Sequence, residues 1–170
     1  MDVFREYDIE FIKLKEGGHQ FEYHLTDAFF KAFNSSLSTQ GVKVDVLFTK
    51  SVSMFTLDFK IEGLVEVDCD RCLTRIVIPI HNEQKVVVKQ TEQLLESEDD
   101  LVYISSHDYK LNIAQHIFDF VNVSIPIKNT CSDVGLICDP AVTAKITSVI
   151  DIDMADVDVP EQDTDYEEED

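Results

Sequence analysis

Residues 69–72, Cys-Asp-Arg-Cys, sit between two runs of alternating apolar and polar residues, and this stretch constrains the fold more than any other. Gly63-Leu64-Val65-Glu66-Val67-Asp68 leads in, and Leu73-Thr74-Arg75-Ile76-Val77-Ile78-Pro79-Ile80 leads out. Successive side chains of a strand point to opposite faces, so alternation with β-branched residues suits half-buried strands. Two such runs joined by four residues predict a hairpin with one thiol on each side of its turn. Thiols at this spacing can share a metal ion or close a local disulfide.

Other stretches repeat the pattern. Tyr7 to Leu14 and His19 to Leu25 alternate about Gly17-Gly18 and read as a hairpin, with Tyr7, Ile9 and Phe11 on one face and Phe21, Tyr23 and Leu25 on another. Gly41 to Lys50 and Ser53 to Lys60 form a second pair, and Glu83 to Lys89 a further strand. Asp27 to Asn34 reads as a short helix capped by Thr26 or Asp27, with Phe29, Phe30 and Phe33 on its core face. Residues 112–123 form the second helix: Ile113, Ile117 and Val121 recur every four residues, and Asn112 with Gln115 makes a capping-box pattern. Pro126 ends it. Leu101 to Ile104 reads as a short strand, Thr91 to Asp100 and Thr130 to Pro140 as loops, and Ala141 to Ile150 fits strand or helix. The expected fold is α+β: a mainly antiparallel sheet or partly open barrel with two short helices. One domain spans 1–150, and 151–170 is a disordered acidic tail.

The charge distribution narrows the function. The chain carries −20, of which −11 lies in residues 151–170, leaving −9 on residues 1–150. That balance argues against strong non-specific nucleic-acid binding and suits a basic partner. No apolar run reaches membrane-span length, and the charged N-terminus lacks a signal-peptide core, so a cytoplasmic location is expected. Hydrolase, nucleotide-binding and zinc-protease motifs are absent from the sequence. No small-molecule substrate is inferred.

Four cysteines in a cytoplasmic chain point to reduced thiols or a metal. Cys69 and Cys72 have the spacing of a zinc knuckle. Cys131 and Cys138 are separated by six residues, wider than structural zinc ligands usually are, though a loop can bring both thiols round. His81 and His107 are spare candidate ligands. Zinc is the candidate cofactor, with unligated thiols as the alternative. A thiol oxidoreductase is a further alternative, but a reactive Cys-x-x-Cys favours a helix N-terminus, and Asp68 and Asp70 beside this pair disfavour thiolate. Basic residues are sparse: Arg71 with Arg75, and Lys85 with Lys89, are the densest sets, and the first pair offers a small phosphate-contacting patch.

The order of pieces resembles the YceD family of bacterial and plastid proteins, which is tied to accumulation of large-subunit ribosomal RNA. The resemblance runs over about residues 8–138. It rests on Phe11-Ile12-Lys13-Leu14-Lys15-Glu16-Gly17-Gly18-His19, on Asp27-Ala28-Phe29-Phe30, and most sharply on Gly63 to Leu73 with Cys-Asp-Arg-Cys-Leu. It continues through Leu111-Asn112-Ile113 and Val123-Ser124-Ile125-Pro126-Ile127, and its details look most like members from Bacteroidetes-type bacteria. The resemblance implies a non-catalytic role in making the large ribosomal subunit, with Cys69, Arg71 and Cys72 as the functional or structural site. Some relatives carry further cysteines in a Gly-Leu-Cys pattern, and here Gly135-Leu136-Ile137-Cys138 has an inserted Ile. The implied partners are a large-subunit rRNA precursor and a basic large-subunit ribosomal protein. Combined with the acidic composition, this reads as an assembly factor that works mainly through protein contacts, with limited RNA contact near Arg71 and Arg75. A structural zinc adaptor is the alternative.

Overall fold

The computed structural model describes residues 3–52, 54–92 and 101–150. The readings of a loop at 93–100 and of a disordered tail at 151–170 lie outside the described residues. Among the described residues, seven strands and three α-helices follow in chain order: β1 (Asp8–Ile9), β2 (Gly17–Leu25), α1 (Asp27–Ala32), β3 (Ser38–Lys50), β4 (Phe55–Asp68), β5 (Arg75–Thr91), β6 (Leu101–Ser105), β7 (Leu111–Asn112), α2 (Ala114–Ser124) and α3 (Pro140–Ile150). A five-stranded sheet has the order β2-β3-β4-β5-β6, antiparallel except for the parallel β5–β6 pair, and β1 pairs with β7 as a separate two-stranded ribbon. The sheet is open, not a closed barrel.

Alternation sets one buried face. Val42, Val44, Val46 and Phe48 of β3, Phe55, Leu57, Phe59 and Ile61 of β4, and Ile76, Ile78, Ile80, Val86 and Val88 of β5 are all buried. On this face lies α2, with Ile117 and Val121 fully buried. Phe120 meets Phe59 with ring centroids 5.1 Å apart, and the Phe120 carbonyl accepts a hydrogen bond from Asn82 Nδ2 at 3.1 Å. Burying an aliphatic side chain contributes roughly 1.5–3 kcal/mol, so these rows are the main stabilising term. An aromatic cluster ties the N-terminal segment to both helices: Phe33 stacks on Phe118 at 4.4 Å and touches Phe4 and Phe29.

Several local expectations are corrected. The runs read apart as 53–60 and 63–68 meet in one strand, β4, from Phe55, and those read apart as 73–80 and 83–89 meet in one strand, β5, from Arg75. Gly63, the first residue of the run leading into the thiols, is interior to β4. It lies in the paired ladder against Val42 and Ile80, and the missing side chain makes room for the neighbouring strand: a Cβ there would stand 2.5 Å from the Gly41 carbonyl oxygen and 2.6 Å from Val42 Cα. Residues 7–14 do not form a hairpin with β2. Beyond the two-residue β1 they coil into short 3-10 turns at Val3–Tyr7 and Phe11–Lys13, and β2 pairs with β3 instead. Tyr7, Ile9 and Phe11 are nonetheless buried.

The helix caps also differ. Thr26 makes no side-chain cap bond, and the Asp27 carboxylate accepts from the Thr39 N–H at 2.9 Å. Asn112 belongs to β7, and its side-chain oxygen accepts from the Ala114 N–H at 3.0 Å, while Gln115 donates to Asp119 in place of a capping box. The stretch at 141–150, whose sequence fits strand or helix, is helical and belongs to α3. Among the described residues, no helix is long and apolar enough to cross a membrane.

The tight passage at Gly63 gives a direct test. Gly63→Ala forces backbone atoms of β3 away and is expected to lower unfolding stability by about 1–3 kcal/mol, read as a lower urea midpoint with an unchanged slope.

Candidate metal centre

The β4–β5 turn is pinned by its own backbone. The Cys69 N–H donates to the Thr74 carbonyl and the Leu73 N–H to the Cys69 carbonyl, both at 2.9 Å. Leu73 takes a left-handed conformation, with φ of 59°, to close the turn. Such a conformation costs a branched side chain free energy and persists where the surroundings hold it. Here Asp70 ties the turn to the loop after α2: its N–H donates to the Asn129 carbonyl at 2.8 Å, and its carboxylate accepts from the Asn129 N–H at 2.6 Å.

The loop after α2 carries the second pair of thiols. A 3-10 turn at Cys131–Val134 starts with a reciprocal cap: the Asp133 carboxylate accepts from the Thr130 N–H at 2.8 Å and the Thr130 hydroxyl at 2.6 Å. Those bonds from Thr130 hold the Asp133 carboxyl below its ordinary range. Gly135, at φ of 73°, ends the turn, and the Leu136 N–H reaches back to the Cys131 carbonyl at 2.7 Å. This reversal absorbs the six intervening residues and returns Cys138 to the side of Cys131.

All four sulfurs converge. The Sγ atoms of Cys69, Cys72, Cys131 and Cys138 lie within 4.8 Å of one another. Cys69 and Cys138 are 3.8 Å apart, and Cys72 and Cys131 3.5 Å. A tetrahedral zinc–thiolate centre with Zn–S of about 2.3 Å requires sulfur–sulfur edges of about 3.8 Å, so this donor set fits zinc. The six-residue spacing that set the second pair apart is therefore no obstacle. Cys69, Cys72 and Cys131 are buried and Cys138 is half-buried.

The surroundings favour negative sulfur at the hairpin. The Thr74 hydroxyl, 3.3 Å away, and the backbone N–H groups of Thr74 and Asp139 lower the Cys72 thiol to about 6. Burial opposes ionisation of Cys69, but the N–H groups of Cys72, Arg71 and Cys131 outweigh it and hold that thiol below its usual value; the Cys131 N–H lies 3.4 Å from the sulfur. Burial and the neighbouring sulfurs push Cys131 up to about 12, and burial raises Cys138 as well. Backbone donors aimed at sulfur serve thiolate ligands, since the thiolate is the metal-binding form.

The remaining candidates separate. His81 lies on the outer side of the sheet beside Glu62, and the exposed His107 follows β6; neither joins the thiols. Arg75 is held by Asp68 at 3.6 Å and Glu66 at 3.9 Å. The Arg71 side chain is exposed at the turn and, among the described residues, makes no ion pair within 4 Å. Lys85 pairs with Asp58 at 3.4 Å. Sequence reasoning missed Asn129, Thr74 and the Asp139 N–H. Asp70 between the cysteines and Thr74 two residues beyond were the available signals.

The fold and the site together define a class: an open, mainly antiparallel sheet whose central hairpin ends in a four-thiol centre completed by a loop after the packed helix. Among protein families, residues 57–145 match the one described as large ribosomal RNA subunit accumulation protein YceD. The chain belongs to the YceD family. No curated protein and no solved structure matches it.

Loss of the Thr74 hydroxyl has a defined sign. In the reduced, metal-free chain, Thr74→Val is expected to move the ionisation of Cys72 upward from about 6. The check is thiolate absorbance in the ultraviolet against pH, and an unmoved profile would remove Thr74 from the centre.

Proposed function

We propose that this protein is a non-catalytic factor in biogenesis of the large ribosomal subunit, supporting accumulation or processing of large-subunit rRNA. The observation that carries this reading is the family match over 57–145, which takes in the thiol hairpin, α2 and all four cysteines. In this reading residues 1–150 form one domain, 151–170 are an acidic tail, and the protein acts in the cytoplasm. Its partners are a large-subunit rRNA precursor and a basic large-subunit ribosomal protein.

Zinc is held by Cys69, Cys72, Cys131 and Cys138. Its contribution is structural, because four thiolates leave no open position for water or substrate. The alternative of a thiol oxidoreductase loses support from the geometry: Cys69 and Cys72 lie in the turn between β4 and β5 and face two further thiols, rather than opening a helix. Arg71 is the RNA-facing cation, since its exposed side chain makes no ion pair within 4 Å among the described residues and meets Asp133 only at longer range. Arg75 plays the smaller part, because Asp68 and Glu66 already engage it.

Two measurements test the reading. Tagged protein recovered from its own cells at low salt is expected to bring down large-subunit precursors or ribosomal proteins that survive ribonuclease. Arg71→Ala should weaken that recovery several-fold while leaving the fold intact, and Arg75→Ala should weaken it less. Absence of ribosomal material with and without ribonuclease would overturn the assignment. For the metal, the purified chain should release about one zinc per four thiols on mercurial titration. Cys69→Ser with Cys72→Ser should abolish binding and cost several kcal/mol of stability. A metal-free preparation unmoved by chelator would refute it.

A further inference from the structure

We propose that the outer, solvent-facing side of β2–β5 is a docking groove for a lysine- and arginine-rich segment of a protein partner. This deepens the function proposed above and rests on it for the partner's class. The groove lies between the four strands, has a volume of about 570 Å³, and is lined by Glu22, Asp45, Asp58, Lys60, Glu83 and Lys85 among others. It is on the opposite side of the sheet from α2 and the core.

The strand register places charge there in an arrangement that folding does not require. Glu22, Asp45, Lys60 and Glu83 form one row across four strands. Glu22 and Asp45 are direct cross-strand partners, and like charges in that relation destabilise a sheet. A single lysine from the next row, Lys43, serves both carboxylates, at 2.9 and 3.0 Å. Lys60 stands between Asp45 and Glu83 in the row, yet its ammonium binds Glu62 at 3.0 Å. Lys85 is taken by Asp58 at 3.4 Å. Glu83 is left with the imidazole of His81 at 3.9 Å. The lysines of the groove are thus committed, and carboxylates remain in excess on a concave surface of a domain that is itself acidic. A cationic side chain entering beside Asp45 and Glu83 relieves this excess. A phosphate backbone is repelled by it, which sets this side apart from the thiol hairpin and Arg71.

The test uses the full-length chain and a short fluorescent Arg-Ser repeat peptide as probe. Asp45→Lys with Glu83→Lys is compared with Glu167→Lys and Glu168→Lys, which change net charge equally in the acidic C-terminal run. The groove variant is expected to bind the peptide about tenfold more weakly at low salt, with the gap closing toward ~1 M salt, where the screening length is about 3 Å. The matched variant should lose less than about twofold. Asp45→Lys and Glu83→Lys each set a lysine opposite Lys60, which costs stability, so Asp45→Asn with Glu83→Gln is measured beside them and is expected to fold as wild type does and still bind the peptide several-fold more weakly. Equal losses in both variants would reduce the effect to net charge, and a larger loss in the matched variant would place the peptide elsewhere. Either result overturns the proposal, as does wild-type binding of a uridine oligonucleotide that the groove reversal abolishes. If the groove variant still recovers ribosomal material from cells as wild type does, the groove is refuted and the assembly reading stands. If wild type recovers none, the assembly reading itself has failed.

Discussion

The junction between the β4–β5 turn and residues 129–138 is the contact on which the arrangement of this molecule depends. A hairpin with strands of 14 and 17 residues is long for a small domain, and α2 packs along only part of it. Near the turn the apolar cover thins: Val65 and Ile76 are buried, but Val67 is only partly so and Leu73 is exposed. Hydrophobic burial therefore cannot fix the end of the hairpin. Two hydrogen bonds between Asp70 and Asn129 and the convergence of four sulfurs do so. Through the same residues they fix the path of the chain from the end of α2 to the start of α3.

Much of this was legible in the sequence, and the reasons differ from place to place. Val42, Val44, Val46 and Phe48 declare their face because a strand imposes a period of two, and all four are buried. The thiol hairpin declares itself by the same rule on either side of a short polar turn. What was not legible is where a neighbour decides the conformation. The need for glycine at 63 shows only once β3 is seen pressing against it. Residues 7–14 alternate like a strand, yet only Asp8–Ile9 pairs, with β7, and Tyr7 and Phe11 are buried from the flanking 3-10 turns. At the candidate site, Cys69 and Cys72 were readable as a pair. The place of Cys138 was not, because it depends on the left-handed turn at Gly135, whose outcome spacing alone does not show. Asn129 was invisible because its role is carried largely by its backbone.

The two sides of the sheet obey different rules. On the inner side most positions are filled for volume by aliphatic and aromatic residues, with Gly63, Asn82 and Gln84 interrupting the rows. On the outer side the positions are free of packing, so their identities report something else. A neutral, threonine-rich face would satisfy the strands equally well. The residues present are carboxylates and lysines in close array, with the carboxylates in excess, in keeping with a chain whose overall charge is strongly negative.

Cys69 and Cys131 are separated by 62 positions along the chain, and Cys69 and Cys138 by 69. Closing a loop of that length carries an entropic cost that must be met before any sulfur contact can repay it. The hairpin and α2, whose contacts are closer in sequence, form the framework that brings the thiols together, so the centre belongs to the late part of folding. Interactions made after the folding barrier act on the rate of escape from the native state and leave the rate of arrival nearly untouched. The four sulfurs are then less a nucleus than a latch: they govern how long the folded molecule lasts once made.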